Sequence, residues 1–284
     1  MGNIKDEVVV ALTNLREEKP LVHCITNFVT VNDCANIVLA IGGSPIMATA
    51  IEEVDDLACQ ASSLVINLGT ISYEMIDVMI EAGRAANKMG VPVILDPVGA
   101  GITAFRSSVT LKLLKKVKFS VIRGNISEIK ALCDMKFVST GLDSGDQVNE
   151  EEAKTIIKTL AKKYKTIVAM TGFTDYITDG EKVIRISNGN SMLTKVSGTG
   201  CMTTALIGTF VGSNDDYLVS TAAAVMTMGI IGEIALDNLG ENEGSGMYKV
   251  RLIDAASNLK SSEIKERGQI YEYWYRLLFI SCDW

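Results

Sequence analysis

The sequence predicts an α/β fold in which a mostly parallel sheet is covered by helices on both faces. Short, continuously apolar segments such as residues 64–70 and 91–95 alternate with segments of helical periodicity along most of the chain. Strands that are buried on both faces show such uninterrupted apolar runs. Polar residues follow several of these runs, and in open parallel sheets ligands bind beyond the carboxyl ends of the strands. The pattern therefore predicts the fold class and also the edge of the sheet that carries the functional site.

The predicted elements begin with an amphipathic helix within residues 1–20 and end in a helical region at residues 201–260. Strands are predicted at residues 21–27, 44–48, 64–70, 91–95, 119–122 and 167–170. Helices are predicted at residues 32–40, 52–60, 73–88, about 105–116, 127–136 and 149–163. Residues 176–187, with Asp179-Gly180 at their centre, predict an antiparallel hairpin, which we expect at the edge of the sheet.

The domain organisation follows from the lack of internal repeats, low-complexity segments and long linkers in the sequence. We therefore expect one domain over residues 1–284, with an atypical aromatic tail at about residues 269–284. The tail is expected to pack on the domain or across a subunit contact, and a sticky extension is the alternative. No catalytic role is assigned to it.

Charge and hydropathy limit the classes of partner. The net charge is −7 and the sequence has no basic block, which gives no support for nucleic-acid binding. Residues 1–20 mix apolar side chains with acids and lysines, unlike a signal peptide. The apolar run at residues 221–236 is too short to span a bilayer and contains Glu233, so we expect a buried helix there. These features predict a cytoplasmic protein without a membrane partner.

The cysteine and histidine content argues against disulfide and zinc frameworks. The six cysteines are widely scattered and form no CxxC pair, and His23 is the only histidine. The cysteines are Cys24, Cys34, Cys59, Cys133, Cys201 and Cys282.

Residues 196–204 form the most informative stretch. It follows a strand-like run, passes through Gly198 and Gly200, and enters an apolar helix. A glycine turn at a helix start leaves backbone N–H groups unpaired beside the positive end of the helix dipole, which favours an anion such as phosphate. Cys201 lies in the first helical turn, where a thiol is expected to lose its proton more easily. The alternative is a turn before a buried helix with Cys201 as a small core residue, and the stretch alone leaves both open.

Two further strand ends carry candidate metal and phosphate ligands. Asp96 stands between an apolar strand and a glycine loop, where its carboxylate could hold Mg²⁺ directly or through water. A turn or capping aspartate is the alternative. Asn125 could cap the helix that follows the next strand, with Glu128 as its N3 partner. On the functional interpretation Glu128 joins Asp96 at the metal, Asn125 organises the phosphate region, and Arg123 pairs with phosphate oxygens.

The sequence contains neither a Walker A motif nor a G-x-G-x-x-G fingerprint, so a nucleotide would be bound by another loop system. Four ordered motifs resemble the hydroxyethylthiazole kinase family of the ribokinase-like superfamily over about residues 5–268. They are HCITN at 23–27, DPVGAG at 96–101, RGNISE at 123–128 and GTGC at 198–201. The resemblance implies a ribokinase-like three-layer sandwich and ATP-dependent phosphorylation of the primary hydroxyl of 4-methyl-5-(2-hydroxyethyl)thiazole in thiamine salvage. It also implies Mg²⁺ and a homotrimer with active sites between subunits.

The resemblance also assigns roles to residues. Met47 and Gly198 match thiazole-contacting positions, with Asn27 and Gly69 as neighbours, and Arg123 and Thr171 match ATP-contacting positions. Cys201 occupies the position where most ribokinase-like relatives place a base aspartate. Because an unperturbed thiol has a pKa of about 8.5, we expect Cys201 to orient the hydroxyl with only partial base character.

The backbone amides from Gly198 to Cys201, including that of Gly200, would stabilise the transferring phosphoryl group. Met47 is polarisable enough to contact a sulfur heterocycle, although core packing is its commoner use.

Other functions were weighed against this one. A related ribokinase-like kinase acting on a pyrimidine or pyridoxal alcohol is the nearest alternative. A hydrolase or acyltransferase using Cys201 and His23 is chemically sensible, but it would leave Asp96, Asn125 and Glu128 without a role. A non-catalytic binding protein on the same fold is disfavoured because the set of candidate residues is intact.

Overall fold

A nine-stranded sheet forms the centre of the fold in the computed structural model, which describes residues 3–134 and 149–273. The strands lie in the order β2-β1-β3-β4-β5-β6-β7-β8-β9. They are β1 (Leu21–Ile25), β2 (Ser44–Ile46), β3 (Ser63–Asn67), β4 (Val93–Asp96), β5 (Val121–Asn125), β6 (Ile167–Thr171), β7 (Asp175–Thr178), β8 (Val183–Ile186) and β9 (Ile270–Tyr273). Strands β1 to β6 pair in parallel and the last three pair antiparallel, which confirms a mostly parallel sheet.

Helices cover both faces of this sheet. They are α1 (Ile4–Glu18), α2 (Val31–Ile41), α3 (Val54–Ala58), α4 (Tyr73–Met89), α5 (Ala104–Lys116), α6 (Ile126–Asp134), α7 (Glu150–Tyr164), α8 (Thr199–Val211), α9 (Tyr217–Asp237), α10 (Ser245–Asn258) and α11 (Ser261–Arg267). One hydrophobic cluster joins the sheet to α1, α2 and α8 to α11, and a second joins it to α3 to α7. Within β3 and β4, Val65 and Ile94 face the first cluster, whereas Leu64, Ile66 and Leu95 face the second. Strand side chains point alternately to opposite faces, and both faces here are buried.

The strand order reverses between β1 and β3. From β1 the chain passes outward to β2 and then returns to place β3 on the other side of β1. The loops that follow β1 and β3 therefore diverge to opposite sides. Such a reversal opens a crevice at the carboxyl ends of the strands, where ligands bind in open α/β sheets.

Most predicted elements are confirmed, with ends displaced by no more than about three residues. Residues 135–136 of the helix predicted at 127–136 lie outside the described residues. The predicted hairpin is β7 and β8, and Gly180 adopts a left-handed φ of 103° in its turn. Its expected place at the sheet edge is wrong, because β9 pairs with β8 and takes that position.

The sequence pattern did not predict the structure of two further segments, the aromatic tail and the residues just before α8. Residues 270–273 of the aromatic tail form β9, while residues 274–284 lie outside the described residues. The strand-like run before Gly198 is not a strand. It is the 3-10 helix Ser191–Lys195, which starts where the Asn190 carboxamide accepts a hydrogen bond from the Met192 amide.

Helix α9 contains the apolar run that was expected to be too short for a membrane. At 21 residues it is long and apolar enough to cross one, so the argument from length is wrong. Its most apolar window is 83% buried within the protein, which is how the core helix of a water-soluble domain packs.

Candidate active site

Two asparagines and Cys201 meet at the carboxyl ends of β1 and β3. Asn27 Nδ2 donates to Asn67 Oδ1 at 2.9 Å and to Cys201 Sγ at 3.3 Å. Asn67 Nδ2 donates to Cys201 Sγ at 3.2 Å and to Asp96 Oδ2 at 2.8 Å. A carboxamide nitrogen carries two hydrogens, so each asparagine can make both of its bonds at once. The Cys201 sulfur thus accepts two N–H bonds, and its own S–H remains free to point elsewhere.

The environment of Cys201 holds its proton. Burial raises the pKa of the thiol, and the negative charge of Asp96 raises it further, against hydrogen bonds from Thr30, Asn67 and Asn27 that lower it. The expectation that the first helical turn eases loss of the proton is therefore wrong. Desolvation of the thiolate outweighs the helix terminus at this position.

Asp96 ends β4 and is completely buried. Its Oδ2 accepts hydrogen bonds from Asn67 and from Thr204 Oγ1, the latter at 2.8 Å, and lies 3.7 Å from Arg123 Nη1. Burial raises the pKa of this carboxyl to about 6, although the Arg123 guanidinium lowers it. Asp96 Oδ1 has no hydrogen-bond partner among the described residues. A buried oxygen of this kind is suited to a cation or to water held by a cation.

Glu128 contacts the glycine loop that follows β4. The Asn125 Oδ1 atom accepts from Glu128 N at 2.9 Å, and Glu128 Oε2 accepts from Asn125 N at 2.8 Å, so the predicted capping pair is confirmed. Glu128 Oε1 also accepts from Gly99 N at 2.9 Å. Each oxygen of the Glu128 carboxylate therefore accepts one described hydrogen bond and has a second lone pair available for a metal ion.

The carboxylates of Asp96 and Glu128 are donors of the kind that Mg²⁺ prefers. This ion is usually held by one or two carboxylates, with waters and substrate phosphates completing its shell. Within residues 3–134 and 149–273, no group of three or more His, Cys, Asp and Glu side chains converges. Asp96 and Glu128 therefore stay a predicted pair of ligands.

The two glycines at the start of α8 allow close approach by different neighbours. Gly198 has a left-handed φ of 89°, and a Cβ there would lie 2.5 Å from Thr30 Cγ2. A Cβ at Gly200 would lie 2.7 Å from Arg123 Nη1. No side chain caps this helix. The guanidinium of Arg123 therefore lies over the first turn, beside amides that are available to an anion.

Arg123 also faces a cavity of nucleotide size. Its Nη2 donates to Thr171 Oγ1, and both residues line a cavity of about 470 Å³ together with Asn125. The apolar side of this cavity includes Val225 and Met228 of α9. Ligand pockets commonly measure about 300–1,000 Å³. The three predicted nucleotide-binding residues thus line a single cavity.

The predicted acceptor residues lie on neighbouring strand ends, but only some are in contact. Gly69 lies against Asn27, because a Cβ at this glycine would be 2.7 Å from Asn27 Nδ2. Met47 follows β2 and is half-buried, where it packs against the hydrophobic cluster shared with α2 and α8. Cys201 packs against the same cluster, and contact of Met47 with the acceptor stays a prediction.

His23 is not placed to activate Cys201. It is buried in β1, and its Nε2 pairs with the Ala48 carbonyl at 2.8 Å. Burial lowers the pKa of its imidazole, so the ring is neutral at physiological pH. No hydrogen bond joins His23 to Cys201 in the described part of the chain. This geometry counts against the Cys-His hydrolase.

Three residues were given no role from the sequence but belong to this region. Asn67 stands at one of the polar strand ends that the sequence predicts to meet at the site, but no individual role was assigned to it. Thr204 lies one turn beyond Cys201 in α8, and threonine in a buried helix carries no signal of its own. Asp175 begins β7 and lines the cavity, and its Oδ1 accepts from Gly172 N at 2.9 Å. Burial raises the pKa of Asp175 to about 7.

Known proteins share both sequence and fold with this chain. A sequence model of the hydroxyethylthiazole kinase family matches residues 12–262. The hydroxyethylthiazole kinase of Clostridium beijerinckii is 49% identical over 264 residues, which cover 92% of this chain and 95% of the relative. The structure of hydroxyethylthiazole kinase from Pyrococcus horikoshii has a TM-score of 0.86 at 38% identity, over 94% of this chain and 99% of that chain.

Pyridoxal kinase of Bacillus subtilis, in a complex with ADP, has a TM-score of 0.55 at 12% identity, over 75% of this chain and 91% of that chain. That similarity shows the shared ribokinase-like fold alone. The family model and the two thiazole kinases match nearly the whole chain, including the candidate site. The chain belongs to the hydroxyethylthiazole kinase family.

Proposed function

We propose that this protein transfers a phosphoryl group from ATP to the primary hydroxyl of 4-methyl-5-(2-hydroxyethyl)thiazole, in thiamine salvage. Membership of the family supports the reaction and its substrate. The observation that carries the proposal is the contact between two halves of one site. Arg123, at the nucleotide-sized cavity, approaches Asp96, and Asn67 connects Asp96 to Cys201.

ATP would occupy the cavity beside Thr171 and Asn125, with its terminal phosphate toward Arg123. Phosphoryl transfer depends on positioning and on neutralising charge, and it asks little covalent chemistry of the protein. The guanidinium of Arg123 would pair with phosphate oxygens. The amides from Gly198 through Gly200 to Cys201 would stabilise the charge that develops on the transferring group.

Mg²⁺ would be held by Asp96 and Glu128. The support is the unpartnered Oδ1 of Asp96 and the spare lone pairs of Glu128. When bound, the ion neutralises negative charge on the phosphates of ATP. The protein supplies the two carboxylates and fixes one of them by two backbone N–H bonds.

The thiazole alcohol would lie beyond the adjacent strands β2, β1 and β3, near Met47, Asn27 and Gly69, with Gly198 at its hydroxyl end. The raised pKa of Cys201 supports an orienting role, because a protonated thiol can hold the hydroxyl but cannot take its proton. Cys201 is therefore a feeble base. Alignment of the two substrates accounts for most of its contribution.

The proposed assembly is a cytoplasmic homotrimer with its active sites between subunits. Exposed aromatic side chains near the site support it. Phe28 and Tyr73, which follow β1 and β3, are 78% and 76% exposed, and Tyr73 packs edge-on against Phe105 at 5.5 Å. A second subunit would cover this apolar surface.

The substrate assignment is tested by ADP formation with a panel of heterocyclic alcohols. We expect the thiazole alcohol to be preferred over pyrimidine and pyridoxal alcohols. Equal turnover of all three would overturn the substrate assignment but not the kinase activity.

The role of Cys201 is tested by two substitutions. Cys201→Ala should keep nucleotide binding and lower kcat, whereas Cys201→Asp should keep or raise kcat. Wild-type turnover by Cys201→Ala would refute both the orienting and the base role.

The role of Glu128 is tested by a Mg²⁺ titration. Glu128→Gln should raise the concentration of Mg²⁺ that gives half-maximal rate. An unchanged titration would remove Glu128 from the metal site.

A further inference from the structure

Arg106 connects two neighbouring loops of the candidate site, those after β3 and β4. It is the third residue of α5, and its guanidinium reaches back across the ends of β3 and β4. Nη1 donates to the carbonyls of Leu68 and Val98, the latter at 2.7 Å, and Nη2 donates to the Gly69 carbonyl at 2.9 Å. One planar group therefore holds the loop after β3 against the loop after β4.

The β3 loop supports the acceptor side of the site. Gly69 packs on the Asn27 carboxamide, which donates to Cys201 Sγ. The Gly69 amide also donates to Asn67 Oδ1 at 2.8 Å, and Asn67 is the second donor to the sulfur. A displacement of Gly69 would therefore move both asparagines that hold Cys201.

The β4 loop supports the metal side. Gly99 follows Val98 directly, and its amide donates to Glu128 Oε1. A Cβ at Gly99, where φ is +73°, would lie 3.1 Å from Arg106 Cδ, so the arginine stem packs directly on this glycine. A displacement of this loop would therefore move a carboxylate of the proposed metal site.

We propose that Arg106 is a positioning residue that fixes the distance between the acceptor hydroxyl and the phosphate-binding side of the site. The inference rests on the proposed kinase function and adds a residue to it. Three carbonyl acceptors lie around one guanidinium, and the planar fork of arginine presents its N–H groups in fixed directions. An ammonium group at the same place carries three donors, but on a shorter and freer stem. Reactions between aligned groups are sensitive to such shifts, since a misplacement of about 1 Å can cost about 100-fold in rate.

The test compares Arg106→Lys with Arg251→Lys. Arg251 is a matched control, because it also makes several bonds, all to Glu243 at 2.8–3.0 Å. Arg106→Lys should lower kcat for the thiazole alcohol by about 10- to 100-fold and raise the Mg²⁺ requirement, with the KM for ATP changed by less than about threefold. Arg251→Lys should leave these parameters unchanged.

Hydrogen exchange gives a readout that does not depend on turnover. The amides of Gly69 and Gly99 are both hydrogen-bonded to side chains of the site, so peptides covering them should exchange faster in Arg106→Lys and at the wild-type rate in Arg251→Lys. Faster exchange in only one of the two peptides of Arg106→Lys would overturn the proposal. A wild-type kcat in Arg106→Lys, measured at a temperature at which the variant is folded, would also overturn it. A lower melting temperature without a change in kcat would show a merely structural role and would also overturn it.

Two further variants keep the test decisive should Arg106→Lys fail to fold. Arg106→Gln retains a planar group with two N–H donors, whereas Arg106→Met retains only the aliphatic stem. The glutamine variant should have the higher kcat, and equal values would refute the need for planar donors. Absence of thiazole phosphorylation in the wild-type protein would refute the proposed function instead, while the hydrogen-exchange comparison would still test the connection between the loops.

Discussion

Gly198 and Gly200 lie two residues apart, but alanine should affect stability at the first and activity at the second. At Gly198 the left-handed backbone costs a residue with a Cβ about 1–2 kcal/mol. The new methyl group would also lie 2.5 Å from Thr30 Cγ2, and overpacking of this kind costs about 1–3 kcal/mol. We therefore expect Gly198→Ala to lower the free energy of unfolding by about 2 to 5 kcal/mol, or the melting temperature by about 4 to 10 °C.

Gly200 is the second residue of α8 and has helical geometry, so alanine should gain up to about 1 kcal/mol of helix propensity. The substitution should, however, displace Arg123 at the candidate site. The new Cβ would lie 2.7 Å from Arg123 Nη1, about 0.7 Å inside the 3.4 Å at which ordinary contact begins. The guanidinium must retreat and weaken its bond to Thr171. A hydrogen bond to a charged group contributes about 1.5–3 kcal/mol to stability, and this loss offsets the gain in helix propensity. If the same shift weakens a contact of similar strength between Arg123 and the phosphates of ATP, kcat/KM for ATP should fall by about 10- to 100-fold.

The assays are thermal unfolding and initial rates of ADP formation at varied ATP. Gly246 supplies the matched control, since it is likewise the second residue of a helix, α10, and a Cβ there meets no atom within 4 Å. Gly246→Ala should be at least as stable as Gly200→Ala and should keep wild-type kcat/KM. Equal activity of Gly200→Ala and Gly246→Ala would refute the role given to Arg123. A Gly198→Ala protein as stable as Gly246→Ala would refute the packing argument.

Two other residues of the site give predictions of their own. Thr204→Val removes the hydroxyl donor to Asp96, so it should lower the free energy of unfolding by about 1–3 kcal/mol and raise the Mg²⁺ requirement. Thr209→Val is the control, because the Thr209 hydroxyl bonds only within α8, and it should leave the Mg²⁺ requirement unchanged. Burial raises the folded pKa of Asp175 to about 7, above its unfolded value, so the stability it contributes is full at low pH and is lost as pH rises through 7. Between pH 5 and pH 8 the wild type should therefore lose about 1–3 kcal/mol relative to Asp175→Asn in urea unfolding, and a constant difference would contradict the raised pKa.

The location of the site was predictable because it depends on topology. Once the apolar runs are assigned to parallel strands, the residues after them must meet at one edge. Arg123 approaches Asp96 there, and Asn27 connects to Asp96 through Asn67. The capping pair of Asn125 and Glu128 was predictable for a different reason. Its spacing of three residues is a local property of a helix start, so no tertiary information is needed.

The partners of these residues were not predictable, because they depend on how closely elements approach. Gly208 sets the height of α8 above the sheet, since a Cβ there would lie 2.5 Å from Val65 Cγ2. That close approach brings Thr204 within 2.8 Å of Asp96. Arg106 was missed in the same way, because its bonds join two loops through a helix that follows both. Strand β9 pairs with β8 from a distant part of the sequence, and no local pattern indicates such a pairing.

The surroundings of Cys201 explain why a thiol suits this position. A carboxylate there, as in Cys201→Asp, would add like charge beside the buried Asp96 and have its own pKa raised, so it would be a stronger base than the thiol at a cost in stability. A protonated thiol adds no charge, and its sulfur can accept the N–H groups of both Asn27 and Asn67. The asparagines, in turn, leave no unpaired donor toward the substrate. Cysteine therefore keeps this end of the candidate site neutral and ordered, and in the proposed mechanism the charge needed for phosphoryl transfer lies on Asp96, Arg123 and the start of α8.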